Sequence, residues 1–259
     1  MSDPLAVIAE FPGVPEAVDE ARQAVDRLYR HRVLRRASPA VSAESALRGA
    51  RASAAVEGVD VPLDALRRDE IHDPLVQGAL RVSAEMGRMG PTWRKAPRQV
   101  LARLHAVAAA GLVSQEELGR PRSFDETSDP LGLGPAPAAA DAAVRVEGLL
   151  DLLERPTKAS AVVLAAVVHA ELAVLRPFGT ADGVVARAAE RLTLVEYGLD
   201  PKSLVAVEVG HLEPAYGEAL RAYLGGTPEG VAAWVQHCAS AVRLGVRETT
   251  AICEAMQRG

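Results

Sequence analysis

Residues 169–187 read HAELAVLRPFGTADGVVAR, and the order of residue types in this stretch decides the fold. An apolar run ends near Leu175, a Pro-Phe-Gly turn follows at 177–179, and a second helical run opens on Asp182-Gly183. Proline fixes its own φ and glycine admits left-handed backbone, so the chain reverses tightly between two helices. Helix, turn and helix in this order have the shape of a phosphate-handling loop, because the free N–H groups of a helix N-terminus hold anions.

Outward from this stretch the helical period recurs almost everywhere. Upstream, Ala159–Leu175 is apolar on nearly all sides, which marks a buried central helix. Its most apolar part, Ala161–Val168, is far shorter than a membrane span. Downstream, the helix Gly183–Tyr197 is stopped by Gly198. Val18, Ala21, Val25, Leu28 and Tyr29 form a stripe at helical spacing, and Ser42 is read as the N-cap of a second helix running towards Gly58. Further helices are expected over Pro74–Met89, Pro97–Ala110, Ala138–Leu153, Pro214–Leu224 and Pro228–Met256, with 204–209 either extended or apolar loop. The segment Arg120–Pro137 breaks the period with four prolines and two glycines. It is read as a functional or mobile loop with room for one small hairpin. The fold class is all-α.

Composition agrees. Hydrophobic residues make up 49% of the 259 but aromatics only 3%, so Ala, Val and Leu must fill the core, and Ala and Leu favour helices. A net charge of -5 argues against a general nucleic-acid binder. Cys238 and Cys253 are too few for a disulfide framework and have no zinc-type spacing, which leaves buried reduced thiols. The N-terminal MSDPLAVIAEF lacks a basic, apolar signal sequence, and a soluble cytoplasmic protein without a membrane partner is expected.

Together these features resemble the Fic (Fido) family, in the class that carries an inhibitory helix N-terminal to its core. The family motif H-P-F-x-[D/E]-G-N-G-R-x-x-R aligns with Arg176–Arg187, and His169-Ala170 falls where the preceding family helix reads H-A. The family's inhibitory pattern [S/T]-x-x-x-E-[G/N] appears as Ser53-Ala54-Ala55-Val56-Glu57-Gly58. The run around Tyr216, Glu218 and Leu220, followed by Trp234, is similar to the family's tail, so the resemblance covers roughly residues 10–250. It implies a Fic-fold helical bundle with an N-terminal helical hairpin in region 1–95, a core in 96–259, and a small flap before the central helix.

The resemblance also assigns roles, and several motif positions depart from them. Arg176 stands where active members place the histidine that takes a proton from the target hydroxyl, and a guanidinium stays protonated. It is either an anion binder or one half of a salt bridge. Thr180 replaces the acid that holds Mg²⁺, Ala181 a loop glycine, Asp182 an asparagine and Val184 the first arginine. Asp182 reads as an ordinary N-cap before it reads as a metal ligand. Thr180, Asp182, Gly183 and Arg187 are the nucleotide or anion positions that remain. Ser53, Glu57 and Gly58 are the inhibitory positions, and Glu57 is expected to pair with Arg187 as a structural clasp or as regulation.

His169 is the titratable base nearest the motif, but it reads first as a satisfied core histidine. His31, His72, His105, His211 and His237 have no ligand spacing and are expected on helix surfaces or near helix ends. The arginines at 22, 27, 30, 32, 35 and 36 read as a solvated helix face. The implied function is a degenerate AMP-transferase acting as a binding or regulatory protein; the alternative is an active transferase with altered chemistry, held inhibited by Glu57. ATP with Mg²⁺ is the cofactor implied if nucleotide binding persists. The partners left open are a nucleotide, a protein target at the 120–137 loop and a second copy of the chain.

Overall fold

The structure is a computed structural model that describes residues 3–258. Among these residues it is built from helices alone. In chain order they are α1 (Pro4–Ala9), α2 (Val14–Tyr29), α3 (Leu34–Val56), α4 (Leu63–Arg67), α5 (Pro74–Trp93), α6 (Pro97–Ala108), α7 (Ala139–Glu154), α8 (Ala161–Leu175), α9 (Asp182–Glu196), α10 (Val207–Gly210), α11 (Ala215–Leu224) and α12 (Pro228–Arg258). Among the described residues, no helix is long and apolar enough to cross a membrane.

The apolar run predicted as the central helix is α8, whose residues are almost all buried. Ser160 starts it by accepting the N–H of Val163 at 3.3 Å. α8 and α9 form a hairpin across the 176–181 loop; α7, α11 and α12 pack on α8, and α3, α5 and α6 on α9. The amphipathic stripe of α2 lies along α12, burying Ala21, Ala24, Val25 and Leu28. Small residues at a crossing let helices approach closely. At the crossing of α5 and α6, a Cβ on Gly78 would lie 2.0 Å from the Ala108 carbonyl oxygen, so only glycine fits. One cluster of buried side chains runs from Leu5 to Cys238 and therefore spans both the N-terminal region and the core.

Three local readings are corrected. Ser42 does not begin a helix: α3 runs from Leu34 through a kink at Ala37, and the Ser42 hydroxyl donates to the Ser203 carbonyl at 3.1 Å. Pro39 suits the kink, because the first turn after it needs no proline N–H. The 120–137 loop contains no hairpin; its main chain is irregular and folds against the 176–181 turn. Residues 204–206 are loop and 207–210 a short helix. Both cysteines are free and buried, as expected.

Candidate functional site: the loop between the central helices

Arg176 ends α8 in left-handed backbone, φ 47°, and Ala181 precedes α9 at φ 56°. Two non-glycine residues in that region are unfavourable, so neighbours must hold the turn in place. One such neighbour is Asp182. It does not cap α9 as its position suggested: it is the first helical residue, and its Oδ1 reaches back to accept the Phe178 N–H at 2.9 Å. Burial pushes this carboxyl up to about 8; the Phe178 and Gly179 N–H groups oppose the rise and the Glu57 charge adds to it.

The carboxylate over the start of α9 is Glu57. It sits at the C-terminal end of α3, where Gly58 at φ 97° lets the chain turn away while Val59 N–H bonds the Ala54 carbonyl at 3.0 Å. A Cβ on Gly183 would lie 2.0 Å from Glu57 Oε1, so the glycine is what admits the carboxylate. Arg187, fully buried one turn further along α9, donates to Glu57 Oε1 at 2.7 Å, to the Ser53 hydroxyl at 2.9 Å and to the Ser53 carbonyl at 3.0 Å. Ser53, Glu57, Gly183 and Arg187 are thus brought together.

Arg176 points the other way. Its guanidinium donates to the carbonyls of Ser128 at 3.3 Å and of Gly134, and lies 3.5 Å from Asp129 Oδ1. The neighbouring Arg122, which sequence reasoning passed over, is buried and donates to the carbonyls of Phe124, Pro137, Leu175 and Arg176. Main-chain bonds from Arg122 to the Pro177 carbonyl (2.9 Å) and from Ser128 to the Gly179 carbonyl (3.0 Å) complete the belt. These two N–H groups of the flap are used inside the molecule.

The residues present do not fit Mg²⁺-ATP. The cavity bounded by Glu57, Asp129, Arg176, Asp182 and Gly183 measures about 20 Å³, against roughly 300–1,000 Å³ for pockets that hold drug-sized ligands. Glu57 lies over the N-terminal end of α9, and Asp182 spends its oxygen on the turn. Thr180, half-buried, brings a neutral hydroxyl where a hard cation needs charge.

On the far side of Arg187 the polar chain continues into the core. Its Nη1 donates to the Tyr216 hydroxyl at 3.3 Å, which is 2.9 Å from His169 Nε2. His169 Nδ1 lies 2.7 Å from Glu190 Oε2, and the same oxygen lies 2.7 Å from His211 Nε2. Burial lowers His169 to about 4, against the pull of Glu190. Burial would raise Glu190, but the two imidazoles outweigh it and hold the carboxyl below the usual range. Both ring nitrogens of the buried His169 thus face a polar partner. His105 and His211, expected at the surface or at helix ends, are both buried. His105, in the last turn of α6, stacks on Phe178 with centroids 4.2 Å apart, and His211 follows α10 directly, so both lie at helix ends but not at the surface. Nothing in residue spacing pairs positions 169, 190 and 211; the α8–α9 hairpin and α10 do.

The arrangement of helices is the Fic fold. The chain superposes on a Fic family protein from Desulfovibrio desulfuricans G20 with a TM-score of 0.73 at 21% identity, covering 91% of this chain and 74% of that one. A fragment of Fic-1 from C. elegans gives 0.69 at 15% identity, covering 93% and 73%. A Fic domain containing signaling protein from Bacteroides thetaiotaomicron gives 0.63 at 13% identity, covering 92% and 98%. No family model matches the chain, and no curated protein matches it.

Proposed function

We propose that this chain is a Fic-fold protein whose AMP-transfer site is degenerate and self-closed, and that it works as a partner-binding regulatory protein. The observation that carries the reading is the fate of Arg176: the residue at the position of the family's base is a guanidinium committed to the Ser128 and Gly134 carbonyls. A general base contributes about 10²–10⁴-fold and one charge-stabilising donor about 10²–10³-fold. Replacement of the base by Arg176, of the metal acid by Thr180 and of the first arginine by Val184 therefore leaves little transferase chemistry. Glu57 over Gly183 favours a protein partner above a nucleotide, because a nucleotide must first displace a carboxylate from the helix end.

The intact Ser53–Glu57–Arg187 contact supports the second reading, a Fic-type transferase of altered chemistry that Glu57 holds inhibited. Incubation with α-labelled ATP and other labelled nucleotides, with Mg²⁺ or Mn²⁺, separates the two when the wild type is run beside Glu57→Gly. Neither protein is expected to label itself or added protein. Label transferred by the variant alone overturns the degenerate-site reading in favour of the second.

A further inference from the structure

His169, Glu190 and His211 come from α8, α9 and the residue after α10, and none of them touches the loop that the functional reading uses. Their ligand atoms, His169 Nδ1, Glu190 Oε2 and His211 Nε2, lie within 4.8 Å of one another, and all three residues are buried. Both imidazoles aim at one carboxylate oxygen at 2.7 Å. The other oxygen, Glu190 Oε1, is buried without a geometric hydrogen-bond partner among the described residues, and the Cys238 thiol faces the same carboxyl. Elsewhere in the polar chain Glu57 balances Arg187, but among the described residues no Lys or Arg pairs with Glu190, whose partners are the two imidazoles. A buried carboxylate in that position needs a compensating positive charge.

We propose that His169, Glu190 and His211 bind one divalent transition-metal ion of the zinc class. Two imidazole nitrogens and a carboxylate match the ligand types zinc takes at about 2.0–2.2 Å. Accommodating the ion requires each imidazole nitrogen to move about half an ångström away from the carboxylate oxygen they share, with Glu190 Oε1 free to complete the coordination. The outer nitrogens are already supported: His169 Nε2 faces the Tyr216 hydroxyl at 2.9 Å, and His211 Nδ1 faces His237 Nε2 at 3.2 Å. Such outer partners fix the tautomer that presents the opposite nitrogen to a metal. Enclosure by Trp234 and Tyr216 keeps water out, so the ion enters as the chain folds and pins α8, α9 and the end of α10 together.

The test uses tag-free full-length chain, expressed with added zinc and dialysed against chelator before elemental analysis. About one zinc per chain is expected in the wild type, and a background level in Glu190→Gln. Protein unfolded, stripped and refolded with Co²⁺ is expected to show visible ligand-field bands, and zinc at about a hundred times its Kd raises the Tm of the refolded wild type by about 5–10 °C. Wild-type protein that retains no zinc, shows no cobalt bands and has the same Tm with and without zinc overturns the proposal and leaves a proton-shared cluster. If Glu190→Gln does not fold, the cobalt and Tm measurements on the wild type still decide.

Discussion

Two regions grip the turn between α8 and α9, and they do so with opposite chemistry. On the α3 side, Arg187 closes on a carboxylate, with Glu57 at 2.7 Å and Ser53 in support. On the flap side, Arg122 and Arg176 close mainly on carbonyl oxygens, their nearest carboxylates being Asp125 at 3.9 Å and Asp129 at 3.5 Å. All three guanidiniums are nearly inaccessible, with side chains 0%, 1% and 6% exposed. The comparison separates a clasp made of charge from a belt made of dipoles. Breaking a buried charge pair strands an ion, whereas two of the four carbonyls that Arg122 holds, those of Phe124 and Pro137, lie on the loop and can turn to water when they lose their donor.

Arg187→Ala is accordingly expected to be the most damaging change. It leaves Glu57, Ser53 and Tyr216 without their shared donor and should cost about 3–5 kcal/mol, read as a lower urea midpoint. Arg122→Ala removes four carbonyl contacts and should cost about 2–3 kcal/mol, with new protease cleavage confined to 120–137. An Arg122 loss as large as that of Arg187, without cleavage of the loop, would show that the belt carries charge after all.

The same difference explains what could be read from the chain. The clasp was legible because Ser53, Glu57 and Arg187 are side chains of fixed spacing, and the resemblance named the pairing. The α8–α9 hairpin was legible because its apolar run and its Pro-Gly turn are local. The belt was not, because carbonyl acceptors carry no residue identity, and Arg122 looks like any loop arginine. Nor was the turning-back of Asp182, since a cap and a loop brace use the same residue at the same place. Glu190 and His211 were missed for a different reason: Glu190 sits at helical spacing among apolar residues of α9, and only the tertiary fold shows that no solvent reaches it.

Asp182 sharpens the comparison through pH. Its folded value of about 8 lies above the ordinary carboxylate value, so the native chain keeps a proton that the unfolded chain releases. Stability from this group is complete at low pH and is lost as pH rises from about 4 through 8. Asp182→Asn retains an acceptor for the Phe178 N–H and removes the titration. Urea midpoints at pH 5 and pH 8.5 should therefore diverge, the variant gaining about 1–3 kcal/mol over wild type at the higher pH. Parallel midpoints would mean that the carboxyl titrates normally.

The smallest expected effect is at Ala181, whose left-handed φ of 56° is forced on it by the turn between clasp and belt. Left-handed backbone costs a non-glycine residue about 1–2 kcal/mol. Ala181→Gly relieves that strain, but it gives up a buried methyl and adds freedom to the unfolded chain. The balance should be a gain of about 0.5 kcal/mol or less, with the turn, the clasp and the belt unchanged. If Ala181→Gly instead destabilises by about 1 kcal/mol or more, the buried methyl matters more than the backbone strain, and the turn is held by its packing as well as by its three arginines.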